Sequence, residues 1–568
     1  MRTSQTGPDR PTRLLTLLAR AAHHTPSALA TVTAVIGEAP SRLLPVAVAV
    51  AHSGAGPIDR AIADAVRENP LPDEELRALA ALIPYPTHAL VHTAAAVTGQ
   101  VLTLPDDEDL SRARRLGDHG VRLSALGDWP AALAVDETAV ALLRRLYAED
   151  PAGHAAEFAR GLSNLGIDLN RLGRYEEGFA ITREALELVR DLATEDFARH
   201  GYHLVDALRN LGVELSREGH WDEALTVDQE AVALARRLVE EWSESYLPYL
   251  AGALQCAGVD LAHQGRWDEA LAVDEEAVAI LRELLAGDPD RHEADLVQAL
   301  GQLGTDLHRL ARHDEAFAVF TESTATLRRL AAENPAAHEA ELPRMLVKLG
   351  STLTEVGRLH EALAVDEEAL RSLRRLLGES AENVERFESD LAHTLSCLGT
   401  DLSRLDRDAE AVVRDEEAVA IGRRLVARNP EAHGAQLARS LIGLGVRAYR
   451  LCRWDDSLAA DLEAVELFRA AHRASSAHEP ELARALGNLA ESLSHFDRHA
   501  EALTAAEEQV SRYRRLRVAW PGTFDQALAT AESELRHRRA RLGLDELDPE
   551  IVPPRRSPAV RPDPHQAA

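Results

Sequence analysis

The segment HQGRWDEALAVDEEAVAILREL, His263–Leu284, decides how the chain folds. Gly265 suits the end of one helix, because glycine adopts a left-handed turn without a Cβ clash. Asp268 and Glu269 then stand in the first turn of the next, where the helix dipole favours negative charge. Ala270, Leu271, Ala277 and Val278 form an apolar stripe at helical spacing. The same stretch crowds Asp268, Glu269, Asp274, Glu275 and Glu276 into nine residues, which raises metal binding or acid–base chemistry as an alternative. Asp274, Glu275 and Glu276 are consecutive, so they point about 100° apart around a helix and do not gather on one ion.

The segment recurs along the chain. "SALGDWPAALAVDETAV" and "REGHWDEALTVDQEAV" precede it, and "EVGRLHEALAVDEEAL" follows. The loop position falls at Gly127, Gly173, Gly219, Gly265, Ala311, Gly357, Asp406, Cys452 and Asp497, at steps of 46 five times, then 49, 46 and 45. A fixed period of this length marks a repeat architecture, and each unit reads as two helices joined at the loop residue. Pro151, Pro289, Pro335 and Pro430 punctuate the joins between units, where a helix must break.

Composition narrows the function. The 568 residues carry 63 basic and 93 acidic side chains, a formal charge of −30, which opposes nucleic acid and anionic lipid over most of the surface. Lys348 is the one lysine, and it follows Val347 rather than Gly, so neither a phosphate-binding loop nor a Schiff-base site is expected. Cys256, Cys397 and Cys452 are odd in number and widely spaced, which fits a reduced, cytoplasmic chain. No apolar run approaches the ~20 residues of a membrane span, and no leader is expected.

The columns Leu165, Gly166, Leu169, Gly173, Tyr175 and Ala185, repeated in the other copies, resemble the tetratricopeptide repeat, lengthened from 34 residues to about 46. The resemblance covers about residues 106–520 and extends to the helical arrays of actinobacterial proteins fused to signalling NTPases. It implies an all-α, right-handed superhelical solenoid of antiparallel helix pairs. The expected organisation is a disordered N-terminus at 1–12, a helical capping region at 13–105, nine repeats at 106–520, a closing helix at 521–547 and a disordered Pro/Arg tail at 548–568.

Repetition also tests candidate sites, since a catalytic constellation occurs once whereas scaffold recurs. Trp129, Tyr175, Trp221, Trp267, His313, Leu359 and Trp454 lie two residues past the loop and read as rings filling the gap between two helices. Nineteen residues before the loop stand His154, His200, Tyr246, His292, His338, Phe387, His433 and His478; Tyr and Phe in that slot favour packing over metal. His88 and His92 have ligand spacing but lack the Glu of a metalloprotease helix. No catalytic residue, cofactor or metal ligand is assigned.

The columns with the best claim to binding lie on the first helices. Thirteen residues before the loop stand Arg114, Arg160, Arg344, Arg439 and Arg484; two before it stand Arg171, Arg217, Arg309, Arg404 and Arg450. Eleven residues is three turns, so both columns share a face, with Asn164 and Asn210 and a row mostly of Val or Thr between them. The resemblance puts this face on the concave surface, which suits a protein or peptide partner, an acidic one through guanidinium contacts. The competing reading pairs these arginines with the second-helix row Asp136, Asp228, Asp274, Asp366, Asp415 and Asp461. The expected function is a non-enzymatic scaffold or sensor; the alternatives are a self-associating module or an enzyme with its site in 13–105.

Overall fold

The computed structural model describes residues 10–544 apart from 23–26, 53–57, 84–89, 106–107, 288, 334, 380, 475–477 and 521. The tail at 548–568, most of the stretch 1–12, and His88 lie outside the described residues. Among those described, every regular element is helical. The chain divides into two compact units, Met1–Leu342 and Pro343–Ala568.

The first unit opens with helices Arg10–Ala22, Ser27–Glu38, Pro40–His52, Asp59–Glu68, Asp73–Ala81 and Val91–Val101. They close over a core of their own that includes Leu15, Val32, Ile36, Leu44, Ile62, Leu79, Leu90 and Val97. Asp59 ties this region together. Its carboxylate accepts the backbone N–H groups of His92 (2.8 Å) and Thr93 (2.9 Å), the Thr93 hydroxyl (2.6 Å) and His92 Nδ1 (3.0 Å). An acid here satisfies the orphan donors of a helix start. His92 Nε2 faces Arg60 Nε at 3.1 Å, so both ring nitrogens have structural partners.

Helix pairs follow: Asp109–Leu126 with Trp129–Glu149, Pro151–Arg171 with Tyr175–Glu195, Phe197–Arg217 with Trp221–Glu241, Leu247–His263 with Trp267–Gly287, and Pro289–Arg309 with His313–Glu333. The second unit continues with Leu342–Glu355 and Leu359–Glu379, Ala381–Arg404 and Asp408–Arg428, Pro430–Arg450 and Trp454–Ala474, Glu479–His495 and His499–Ala519, and a final helix Asp525–Arg541. Alanine-rich faces let the helices approach closely, and larger side chains such as Phe158, Phe320, Phe387 and Phe468 fill the core between them. His200, His292, His338 and Phe387 are all buried, so their column is a slot for a ring.

All nine loop residues are left-handed. Gly127, Gly173, Gly219, Gly265 and Gly357 have φ between 75° and 87°, and Ala311, Asp406, Cys452 and Asp497 follow at 56–60°. A side chain in this region costs roughly 1 kcal/mol, less for Asp than for Ala. Ala311→Gly is therefore expected to stabilise the first unit by about 1 kcal/mol despite the extra freedom of the unfolded chain. Urea unfolding checks it, and an unchanged or lower midpoint would show that the turn carries no strain.

Second helices of neighbouring pairs are stitched by exposed ion pairs, Arg144–Glu184, Arg190–Glu230, Arg236–Glu276 and Arg282–Glu322 in the first unit. Arg374–Glu417, Arg423–Glu463 and Arg469–Glu508 repeat the pattern in the second. Each exposed pair contributes only about 0–1 kcal/mol. They account for Glu276, while Glu269 pairs with Arg266 at 2.7 Å.

Candidate functional site

Asp274 takes a different place. It and Asp136, Asp228, Asp366, Asp415 and Asp461 are at most 2% exposed. Most are seated against a glycine of their own first helix. A Cβ on Gly120, Gly212, Gly258 or Gly350 would stand 2.0–2.2 Å from an Asp oxygen. From that seat the acid reaches the next pair's first helix, five residues before the loop. There Asp136 meets Asp168, Asp228 meets Asp260, Asp274 meets Asp306 and Asp366 meets Asp401 in side-chain hydrogen bonds. Two carboxyls bond in this way only if one keeps its proton.

Burial first, and then the neighbouring acid, push Asp136 up to about 8 and raise Asp228, Asp274 and Asp366 as well. Three of their partners take more of the charge, because a hydroxyl on the preceding first helix donates to them. Ser124 bonds Asp168 (2.9 Å), Thr354 bonds Asp401 (2.6 Å) and Ser216 bonds Asp260. Elsewhere the rung is completed differently. Thr182 donates to buried Glu214 (2.8 Å), Ser492 to Asp461 (2.6 Å), and Arg447 Nη1 to Asp415 (2.7 Å).

The expected pairing of this Asp row with the groove arginines is thereby corrected. Among the described residues, the arginine bonded to one of these acids is Arg447, five residues before its loop and outside both arginine columns. The column two before the loop caps the aromatic column of the preceding pair. Arg171 lies over Trp129 (5.7 Å), Arg217 over Tyr175 (3.9 Å) and Arg309 over Trp267 (4.7 Å). His263 stacks on Trp221 and His495 on Trp454, both at 3.9 Å. Where the ring is replaced by Asp408, Arg450 makes a salt bridge to it at 3.2 Å, and Arg404 turns to Glu355 at 2.9 Å. The rings are thus not buried fillers within one pair; Tyr175 is 45% exposed and serves as a platform for the next.

The other arginine column is also engaged across the join. Arg114 pairs with Glu157 (2.7 Å), Arg160 with Glu157 (2.8 Å) and Asp118 (3.6 Å), Arg344 with Asp390 (2.9 Å) and Arg439 with Glu481 (3.9 Å). Arg484 is exposed, and its charge acts on Tyr513. Between the two columns lies a floor. In the first unit Asn164 and Asn210 are half-buried in it, and Ile167 and Val213 are exposed at 37% and 52%; in the second unit, by itself, Val446 is exposed at 37%. The floor deepens between the first helices Phe197–Arg217, Leu247–His263 and Pro289–Arg309 into a cavity of about 470 Å³. Val213, Arg217, Asp228, Cys256, Asp260 and Gln302 are among its lining residues.

A tetratricopeptide-repeat family model matches residues 204–241, 250–292, 344–382 and 391–431. These are tetratricopeptide repeats. No curated protein sequence matches the chain. Among solved structures, BtubC (BKLC) from P. vanneervenii is similar at 21% identity and a TM-score of 0.36, over 45% of this chain and 92% of that one. The apo form of RapI is similar at 13% identity and 0.45, over 69% and 98%. A Rap protein complexed with Competence and Sporulation Factor is similar at 16% and 0.37, over 65% and 99%.

Among the described residues, no helix is long and apolar enough to cross a membrane, and no three His, Cys, Asp or Glu side chains are grouped to hold a metal. Cys256 and Cys397 are free thiols that burial pushes up, Cys256 to about 11, away from nucleophilic chemistry. An aromatic cluster that the repeat columns do not reveal lies beside the first two matched segments. Tyr202 lies 3.9 Å from His203, 6.2 Å from Tyr246 and 5.5 Å from Tyr249. Burial there drives His203 down to about 4. Tyr202 and His203 occur in one copy, so periodicity gives no signal for them.

Proposed function

We propose that the chain is a non-catalytic scaffold that holds an extended segment of a partner protein across the first-helix floor of its first unit. The observation that carries this reading is the exposed apolar row of Ile167 and Val213, which runs into the 470 Å³ cavity. Tetratricopeptide repeats supply such a face without spending it on their own packing, because neighbouring repeats are joined by rungs on either side. The arginines serve those rungs. Reversing Arg171 or Arg217 would disturb packing and binding together, so the floor itself is the better probe.

Ile167→Asp puts a charge in the exposed apolar row, outside the cavity, while leaving the buried contacts alone. Burying an unpaired carboxylate under a bound segment is expected to weaken capture at least ~10-fold. Affinity capture from native lysate by the full chain and by the variant, quantified by mass spectrometry alongside thermal melts, tests this. Equal capture by the two proteins would remove the floor from the interface.

A further inference from the structure

We propose that the cavity of the first unit recognises a cationic side chain of the bound segment, a guanidinium or ammonium group seated on Asp228 and Asp260. The inference rests on the groove reading above and adds the chemistry of the partner, which is basic rather than the acidic one that the arginine columns suggest.

Three observations carry it. First, Asp228 is 1% exposed, lines the cavity, and neither of its oxygens accepts a hydrogen bond from a nitrogen or hydroxyl donor; Asp260 Oδ2 is in the same condition. Buried acids of this kind are costly unless a proton or a cation neutralises them. Second, the nearby cations are committed elsewhere. Arg217 stacks on Tyr175 at 3.9 Å, and Arg209 bonds Asp206 at 3.2 Å; the charge of Arg209 acts on Asp228, but no nitrogen donor bonds either Asp228 oxygen. Arg209 lies over Gly252, where a Cβ would stand 2.5 Å from its guanidinium carbon.

Third, the second unit shows the slot filled. The position of Asp260 in its repeat is taken there by Arg447. That guanidinium bonds Asp415 (2.7 Å) and Thr400 Oγ1 (2.8 Å) and would touch a Cβ on Gly443 at 2.4 Å. The equivalents of Asp415, Thr400 and Gly443 are Asp228, Val213 and Cys256, and all three line the cavity. A planar cation therefore fits beneath the floor at this register. In the first unit, among the described residues, no guanidinium bonds Asp228: Arg209 acts on it without lining the cavity, and the bonding position is left for a ligand to fill. Gln298 and Gln302 on the next first helix border the cavity and can bond the backbone of the segment that carries it.

Binding replaces the proton that Asp228 and Asp260 share, so affinity rises with pH. The groups facing the slot that bear on this are Asp206, Arg209, Glu214 and Arg217 from Phe197–Arg217, Asp228 from Trp221–Glu241, and Cys256, Asp260 and His263 from Leu247–His263, with the charge of Arg309 acting on His263. Burial lowers His263, so above pH 7 it is neutral and does not compete.

The test uses the immobilised full chain and four pools of acetylated octapeptides, each with Arg, Lys, Gln or Glu fixed at a central position and all other positions randomised over neutral residues. The Arg and Lys pools are expected to be retained at least ~10-fold over the Gln and Glu pools, more strongly at pH 8.5 than at pH 6.5. Asp228→Asn removes the charge at constant size, and Asp260→Arg builds the second unit's own plug into the slot. Both are expected to abolish the preference, with circular dichroism showing that they fold. Equal retention of all four pools, or a basic preference that survives both variants, overturns the slot. Retention of every pool that is lost in Ile167→Asp and kept in Asp228→Asn leaves the groove standing and removes the cation site alone.

Discussion

Between pH 6.5 and pH 8 the melting temperature of the protein is expected to fall steadily. The buried Asp–Asp pairs require it. Asp136 is pushed up to about 8 from an unfolded value of 3.8, and Asp228, Asp274 and Asp366 are raised with it. A carboxyl whose folded pKa lies above its unfolded one stabilises fully below 3.8 and loses that contribution as pH climbs to its folded pKa. Each such group costs about 1.4 kcal/mol per pH unit within that window. The first unit holds three pairs of this kind and is expected to lose on the order of 3 kcal/mol from pH 7 to pH 8, or roughly 5 °C.

Histidines do not blur the window. His203, held down to about 4 by burial, exerts its effect below pH 6.5, and the Arg-paired glutamates act below their ordinary 4.5. Asp274→Asn supplies an amide that donates to Asp306 at every pH, so this variant should melt higher than wild type at pH 8.5 and show a shallower slope. Scanning calorimetry in matched ionic strength settles it. A flat profile, or a slope untouched by Asp274→Asn, would mean that the pairs are not sharing protons.

Gly258→Ala is the second large effect. Its new Cβ would stand 2.2 Å from Asp274 Oδ1, a carboxyl walled in by two repeats. The acid must leave its seat and surrender the bond to Asp306, at an expected cost of ~3 kcal/mol or more. Gly117→Ala is the control. It too lies in a first helix, but nothing stands within 4 Å of its Cβ position, so the substitution should gain up to ~1 kcal/mol from helix propensity. The double variant Gly258→Ala/Asp274→Ala empties the seat and is expected to recover most of the loss. Urea titrations of wild type, Gly258→Ala, Asp274→Ala and the double variant give the coupling energy. If both glycine variants shift the midpoint alike, the glycine is not there to admit the acid.

What the sequence discloses divides along the range of the physics. The period, the paired helices and the left-handed residue at all nine loop positions depend on neighbours along the chain, and all were legible. Asp274 was legible as a buried position from its apolar stripe, but its partner was not. The partner lies one repeat away and carries the same charge, so a search for opposite charges leads to the arginines instead. The shared proton that reconciles Asp274 with Asp306 is invisible in a sequence. The arginine–ring contacts were recoverable. Comparing Trp129 with Arg171, Trp221 with His263 and Asp408 with Arg450 across the join shows a cation or ring answering each platform. Comparison within a single repeat hides it. The apolar floor followed directly from the Val and Thr row, because exposure there is set by the helix period alone.

The rungs have a genetic consequence. Each joins two positions at a constant offset in consecutive repeats, so a bond belongs to the junction between units rather than to either unit. Unequal crossing-over that excises or duplicates one period of 46 brings together two units that already carry the matching halves, platform with cap and acid with acid. Such a chain can grow or shrink in one step and arrive folded, with its row of first helices lengthened or shortened by one. The step of 49 before Asp406 marks a junction where three residues have been accommodated between units while Asp366 still finds Asp401.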